Sequence, residues 1–129
     1  MPISQSRIVS VLANVSGIIP TAFGVNCLLR PEHALGFFYF QNLRTPGDEQ
    51  LVTYLMIVYG VRDIFMGVAV WVALYFGARK AAGGILIAVS AVAVADGTVC
   101  KMNGFGEWDH WGYAPMVCGL GLVAMGVLD

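Results

Sequence analysis

Tyr59-Gly60-Val61-Arg62-Asp63-Ile64-Phe65-Met66-Gly67 sets a cation and an anion side by side in an apolar run. That run extends from Leu51 to Phe76 and holds no other charge. As a helix it covers roughly 39 Å, enough to cross a bilayer with tilt. Arg62 then falls about 17 Å from the start of the run, near the midplane. A charge at that depth costs roughly 2.5–3.5 kcal/mol on insertion scales, so ionisable residues there face a bundle interior or a wet cavity. The rest of the chain is expected to be the scaffold that encloses this pair.

Composition agrees with a membrane setting. The 129 residues are 58% hydrophobic and only 12% charged, where a soluble domain carries about 25% charged residues. The mean hydropathy is +0.75. The length is that of one domain, residues 1–129. A net charge of −1 provides no basic patch and argues against a nucleic-acid partner. The partners expected are a lipophilic small molecule, membrane lipids and a second copy of the chain.

Outward from the central run, three further apolar segments complete the reading. Spans are expected at about 7–29, 51–76, 81–100 and 111–128, forming an all-α integral membrane protein: an antiparallel four-helix transmembrane bundle. The first apolar run is too long for a cleaved leader, and Pro20 is expected to kink it. Pro31 to Gln50 is the one long connection, and Thr45-Pro46-Gly47-Asp48 reads as a turn within it. Its Phe37-Phe38-Tyr39-Phe40 stretch suits either membrane anchoring or a cover over a cavity mouth. Gly77-Ala78-Arg79-Lys80 reads as a tight polar connection. The third span is rich in Ala, Gly and Val, which favours a central place in the bundle. Four spans put Arg7, Arg79 and Lys80 on one side and Arg30, Arg44 and Lys101 on the other, so the positive-inside rule leaves the orientation undecided. The expected location is multi-pass in a membrane, that of the endoplasmic reticulum.

The polar residues converge on the half of the bundle that carries the long connection. Tyr59 lies three and four residues before Arg62 and Asp63 and shares their face. Asp96 lies roughly 8 Å from the end of the third span. Asn26 ends the first span, and Asp109, His110 and Trp111 open the fourth. Asn14 lies nearer the other end. The candidate catalytic residues are Asp63, Asp96, Arg62 and His110, with Tyr59, Asn26, Asn14 and Trp111 as substrate-binding candidates. Neighbouring residues on a helix point about 100° apart, so Arg62 and Asp63 are expected to find partners other than each other. Asp109 is expected to be an N-cap. Cys27, Cys100 and Cys118 show no metal spacing and read as small core residues, with a Cys27–Cys100 bridge geometrically open. No metal-ligand, nucleophile or phosphate-loop motif is present, and no cofactor is expected.

The YGVRDIFMG run, the lone aspartate in ADGTVC and the DHWGYAP entry to the last span resemble a family of small four-helix membrane proteins. That family is common in fungi and catalogued mainly as of unknown function, and the resemblance covers nearly the whole chain. Its members occur beside polyketide and terpenoid biosynthetic genes, which implies tailoring chemistry on lipophilic intermediates.

Within that frame the expected activity is opening of an epoxide, by hydrolysis or ring closure, with Asp63 and Asp96 as an acid–base pair held apart in protonation by Arg62. A cofactor-free cyclase or isomerase using the same acids is the alternative. A non-enzymatic lipid binder or assembly partner is a second class, in which the charges only fix helix packing. A proton-coupled transporter is a weaker third.

Overall fold

The computed structural model describes residues 2–40 and 45–129 and is all-helical across them. Arg44, counted above for topology, lies outside the described residues. Six α-helices follow in order: α1 Arg7–Leu29, α2 Pro31–Leu35, α3 Pro46–Tyr75, α4 Arg79–Met102, α5 Trp108–Trp111 and α6 Ala114–Met125. Of these, α1, α3 and α4 are long and apolar enough to cross a membrane. Their outer faces carry exposed large apolar side chains, among them Ile8, Ile18, Leu55, Val58 and Phe65.

The helix ends follow local chemistry. Ser6 caps α1 by accepting from the Val9 N–H, and α1 continues through Pro20 without interruption. Thr45 caps α3 by accepting from the Asp48 N–H, with Pro46 at the first helical position and Asp48 and Glu49 in the first turn. Thr45-Pro46-Gly47-Asp48 is therefore a helix start and not a turn. Proline is pre-organised at that position and carboxylates favour the positive end of the helix. Likewise Arg79 and Lys80 open α4, because both are good helix formers and the connection needs only Phe76 to Ala78, with Gly77 at φ 70°. Arg79 also donates to the Ser4 carbonyl at 3.1 Å. The lead before α1 is a turn of 3₁₀ helix, and Ser4 binds the Asp129 carboxylate through its N–H and hydroxyl.

The expected span at 111–128 is not formed as one helix. Pro115 supplies no donor to the Trp111 carbonyl, so the hydrogen-bond ladder is interrupted between α5 and α6, while Gly112 and Tyr113 keep helical backbone angles. Gly126, at φ 92°, then ends α6 after 12 residues, a rise of about 18 Å.

Packing sorts the helices into two close pairs, α1 with α3 and α4 with α6, joined along a looser seam. Glycine makes both pairs possible. A Cβ on Gly60 would lie 2.7 Å from the Gly24 carbonyl oxygen and 2.7 Å from Cys27 Cβ. One on Gly121 would lie 2.7 Å from the Gly83 carbonyl oxygen. Gly17 and Gly67 repeat the arrangement further along α1 and α3. Thus the two glycines bracketing Arg62 and Asp63 fix α3 against α1. The expected centrality of the third span holds: 39% of the apolar window of α4 is buried, against 28% for α1 and for α3.

Two apolar cores lie along the bundle. One gathers Ala13, Val70, Leu86, Val89 and Val117, the other Cys27, Ala34, Phe38, Met56 and Cys100. Cys27 and Cys100 are fully buried free thiols, not a disulfide. They pack as small apolar groups.

Gly24→Ala or Gly60→Ala is expected to lower stability by about 1–3 kcal/mol, since the obstruction is backbone and cannot rotate away. Gly84→Ala and Gly119→Ala, where an added Cβ meets open space, should be neutral or stabilising by up to about 1 kcal/mol. Thermal unfolding in detergent micelles compares the four. Equal losses at all of them would show that close approach of α1 and α3 is not what Gly24 and Gly60 provide.

Candidate functional site

Between the two cores the spacing of α3 brings Tyr59, Arg62, Asp63 and Met66 to the seam, and α4 brings Asp96. Arg62 bridges the aspartates: its Nη2 is 3.0 Å from Asp63 Oδ1 and 3.0 Å from Asp96 Oδ2. Nε donates to Asp63 Oδ1 at 3.1 Å and Nη1 to Asp96 Oδ1 at 3.4 Å. The Tyr59 hydroxyl donates to Asp96 Oδ2 at 2.5 Å, and the guanidinium carbon lies 3.8 Å from the Tyr59 ring centroid. The expectation that Arg62 and Asp63 avoid each other is overturned. Their Cβ atoms diverge, but the arginine stem is long enough to fold its planar fork back over its neighbour.

The two carboxylates are held differently. Asp96 accepts on both oxygens, from three donors. Asp63 accepts only on Oδ1; its Oδ2 receives no hydrogen bond from any described residue. Asp63 is 4% exposed. With two carboxylates to one guanidinium, the set is one positive charge short of neutral.

Asp63 and Asp96 line a cavity of about 270 Å³. Its wall is completed by Pro20 and Phe23 of α1, Phe37 of the connection, Tyr59 and Met66 of α3, Val89, Val92 and Ala93 of α4, and Asp109, His110 and Tyr113. Arg62 instead faces an apolar hollow of about 430 Å³ beside α3 and α4, which Tyr59 and Asp96 also line. The charged set is thus the partition between an inner cavity and an outer hollow.

Two polar atoms of cavity-lining residues, His110 Nε2 and the Tyr113 hydroxyl, are buried without a partner among the described residues. The sequence reading reached His110 and missed Tyr113, although three residues along a helical path share a face. The Phe38 ring stacks on His110, with centroids 5.4 Å apart, and packs edge-on to Tyr59; Phe37 packs edge-on to Phe23. Of the aromatic stretch, Phe37 therefore lines the cavity and Phe38 is buried against His110 and Tyr59, behind its wall.

Three substrate-binding candidates lie elsewhere. Asn14 is exposed, donates to the Ser10 carbonyl and accepts from Trp71 through its own carbonyl. Asn26 pairs with His33 at 3.2 Å. Trp111 donates to the Val94 carbonyl at 3.1 Å and lies against Gly97, on the outer surface of α4. Depth along a helix does not fix direction around it, and Trp111 is turned about 100° from His110. Nor is Asp109 an N-cap. It lies inside α5 and accepts from the Tyr39 hydroxyl at 2.9 Å, holding the long connection to α5. Among the described residues no group of three His, Cys, Asp or Glu side chains is placed to hold a metal ion.

Fold and site together define an all-helical protein with apolar outer faces and a charged set walling an inner cavity. The family model described as a domain of unknown function (DUF4267) matches residues 17–124, and the chain belongs to that family. No curated protein and no solved structure matches it.

Removing Arg62 leaves the buried Asp63 and the partly buried Asp96 without a counter-charge. Arg62→Ala should lose stability toward the low end of about 3–5 kcal/mol, since the guanidinium is itself partly exposed. Arg62→Lys should fold, because the charge remains while the fork is lost. A stable Arg62→Ala protein in detergent would contradict this account.

The Tyr39 hydroxyl titrates above its ordinary range, because it donates to Asp109 and faces that carboxylate's charge. Its hydrogen bond is complete below the ordinary tyrosine value of about 10 and is lost as pH rises through the raised one. Ultraviolet titration of wild type minus Tyr39→Phe should isolate one late-titrating tyrosine. An ordinary midpoint in that difference would mean that the contact does not hold the connection.

Proposed function

We propose that the protein is a membrane-embedded acid–base enzyme that opens an epoxide in a lipophilic polyketide or terpenoid. The observation that carries the reading is Asp63: buried, tethered by one oxygen to Arg62, with the other oxygen unengaged by any described residue, at the wall of an apolar cavity that His110 and Tyr113 also line. In this reading α1, α3, α4 and the α5–α6 segment form an antiparallel bundle in the endoplasmic reticulum membrane, and the substrate enters from the bilayer.

The chemistry follows from which groups are free. Asp63, protonated, gives its proton to the epoxide oxygen. The carbon–oxygen bond breaks with its electron pair on that oxygen, and water or a hydroxyl of the same molecule bonds to the carbon. The attacking oxygen loses its proton to His110 Nε2, and that proton returns to Asp63 as the product leaves. Tyr113 hydrogen-bonds the oxygen that leaves carbon. Asp96, with its oxygens occupied, is a positioning residue, which with Tyr59 fixes the guanidinium and so the orientation of Asp63. A cavity of about 270 Å³ is near the lower bound of about 300 Å³ for ligand pockets. It therefore takes the reacting end of a larger molecule. Ring closure differs from hydrolysis only in the nucleophile, so cyclisation is a variant of the same step.

The test begins with the metabolite that accumulates when the gene is deleted from its host, supplied to purified protein in lipid nanodiscs. Asp63→Asn should reduce the rate by at least about 10²-fold, the lower end for general acid–base catalysis. Hydrolysis in water carrying heavy oxygen should label the product and not the protein. Near-normal turnover by a folded Asp63→Asn protein would return the set to a packing role.

A further inference from the structure

The electrical character of the cavity narrows the ligand further, and this step rests on the reading that the cavity is the working site. Three acidic residues line it, Asp63, Asp96 and Asp109, and no lysine or arginine does among the described residues. The one nearby cation, Arg62, is already engaged by Asp63 and Asp96, and the part of it left open faces the outer hollow. Aromatic side chains supply much of the remaining wall, with Phe23 and Phe37 set edge to face. Rings carry negative charge on their faces and attract cations, more strongly when water is excluded. An acidic cluster alone would mean little. Here it borders a largely apolar cavity in which Asp63, 4% exposed, keeps one oxygen free of any described donor.

We infer that the cavity takes a lipophilic species that bears or develops positive charge, such as an amine-bearing terpenoid or the carbon cation formed as an epoxide opens. The charged set needs one positive charge beyond Arg62. A bound cation beside the free oxygen of Asp63 meets that need. An anionic ligand meets three acidic residues and no lysine or arginine among the described lining residues, and is disfavoured. The site therefore favours chemistry whose charge builds on carbon, and it discriminates against acids of the same size.

Three probes share one cage and differ in charge: 1-aminoadamantane, cationic near neutral pH, neutral 1-adamantanol, and anionic adamantane-1-carboxylate. Binding to wild-type protein in nanodiscs is measured by calorimetry, with empty discs subtracted for partitioning. The amine should bind at least about tenfold more tightly than the alcohol, and the carboxylate most weakly. That margin should collapse in Asp63→Asn and persist in Asn14→Ala, which changes an exposed residue remote from the cavity. Equal binding of amine and alcohol, tighter binding of the carboxylate, or no binding of any probe would overturn the inference. So would a margin that survives in Asp63→Asn. The wild-type series decides the matter even if Asp63→Asn fails to fold. Because no turnover is read, a cation preference in a protein inactive on every epoxide would keep this inference and remove the enzymatic reading.

Discussion

One guanidinium shared between two carboxylates in an apolar interior is the constraint on which the other features depend. Taking charged groups wholly or partly out of water is costly, and the cost is recovered only where geometry and additional hydrogen bonds are good. The protein meets that condition with a planar fork that reaches both aspartates and with the Tyr59 hydroxyl on Asp96. Apolar side chains of similar volume would pack at least as stably in this position. An unbalanced set of this kind is therefore poor evidence for a purely structural purpose, and the unengaged oxygen of Asp63 is where the surplus lies.

The helices come together in a way that leaves room for the set. Lipid chains are as apolar as leucine, so helices in a membrane associate through close packing more than through hydrophobic burial. Gly24 against Gly60 and Gly83 against Gly121 bring backbones into contact within each pair, and the two pairs meet less tightly. The cavity lies in that looser seam, where side chains from α1, α3, α4 and the α5–α6 segment all reach it. The seam is closed on either side by the two apolar cores. Rigidity within pairs and space between them follow from the same placement of glycine.

Much of this was legible in the residues. The long apolar runs located α1, α3 and α4, and a midplane Arg-Asp pair implied an enclosed polar site. The depth of Asp96 and Tyr59 correctly brought both to it. What depth could not provide was azimuth, so Asn26 and Trp111 were grouped with residues they do not join. Reasoning from Cβ directions also misjudged Arg62 and Asp63, because a side chain with several rotatable bonds is not confined to its Cβ vector. The last span was read as continuous by weighing its apolar content over Pro115, whose missing N–H interrupts the hydrogen-bond ladder. Tyr113 was hidden by that choice, since a continuous span from Trp111 drew attention to its glycines and not to its single phenol.

The break before α6 bears directly on what the cavity can hold. An uninterrupted helix from Trp108 would pair the Trp111 carbonyl with an N–H at position 115, which proline cannot supply. The turn at Gly112 and Tyr113 therefore separates α5 from α6, with His110 on one side of it and Tyr113 at the entry to the other. Both residues line the cavity, and both leave a buried polar atom unpaired among the described residues. Such atoms each carry a desolvation cost of about 1–3 kcal/mol unless something binds them. Phe38, stacked on His110, and Tyr39, bonded to Asp109, tie the long connection to α5 at this end of the cavity. The unpaired nitrogen and hydroxyl thus lie among aromatic side chains, opposite no lysine or arginine and beside carboxylates. A ligand that satisfies them must bring its own hydrogen-bonding oxygen or nitrogen into an otherwise apolar space.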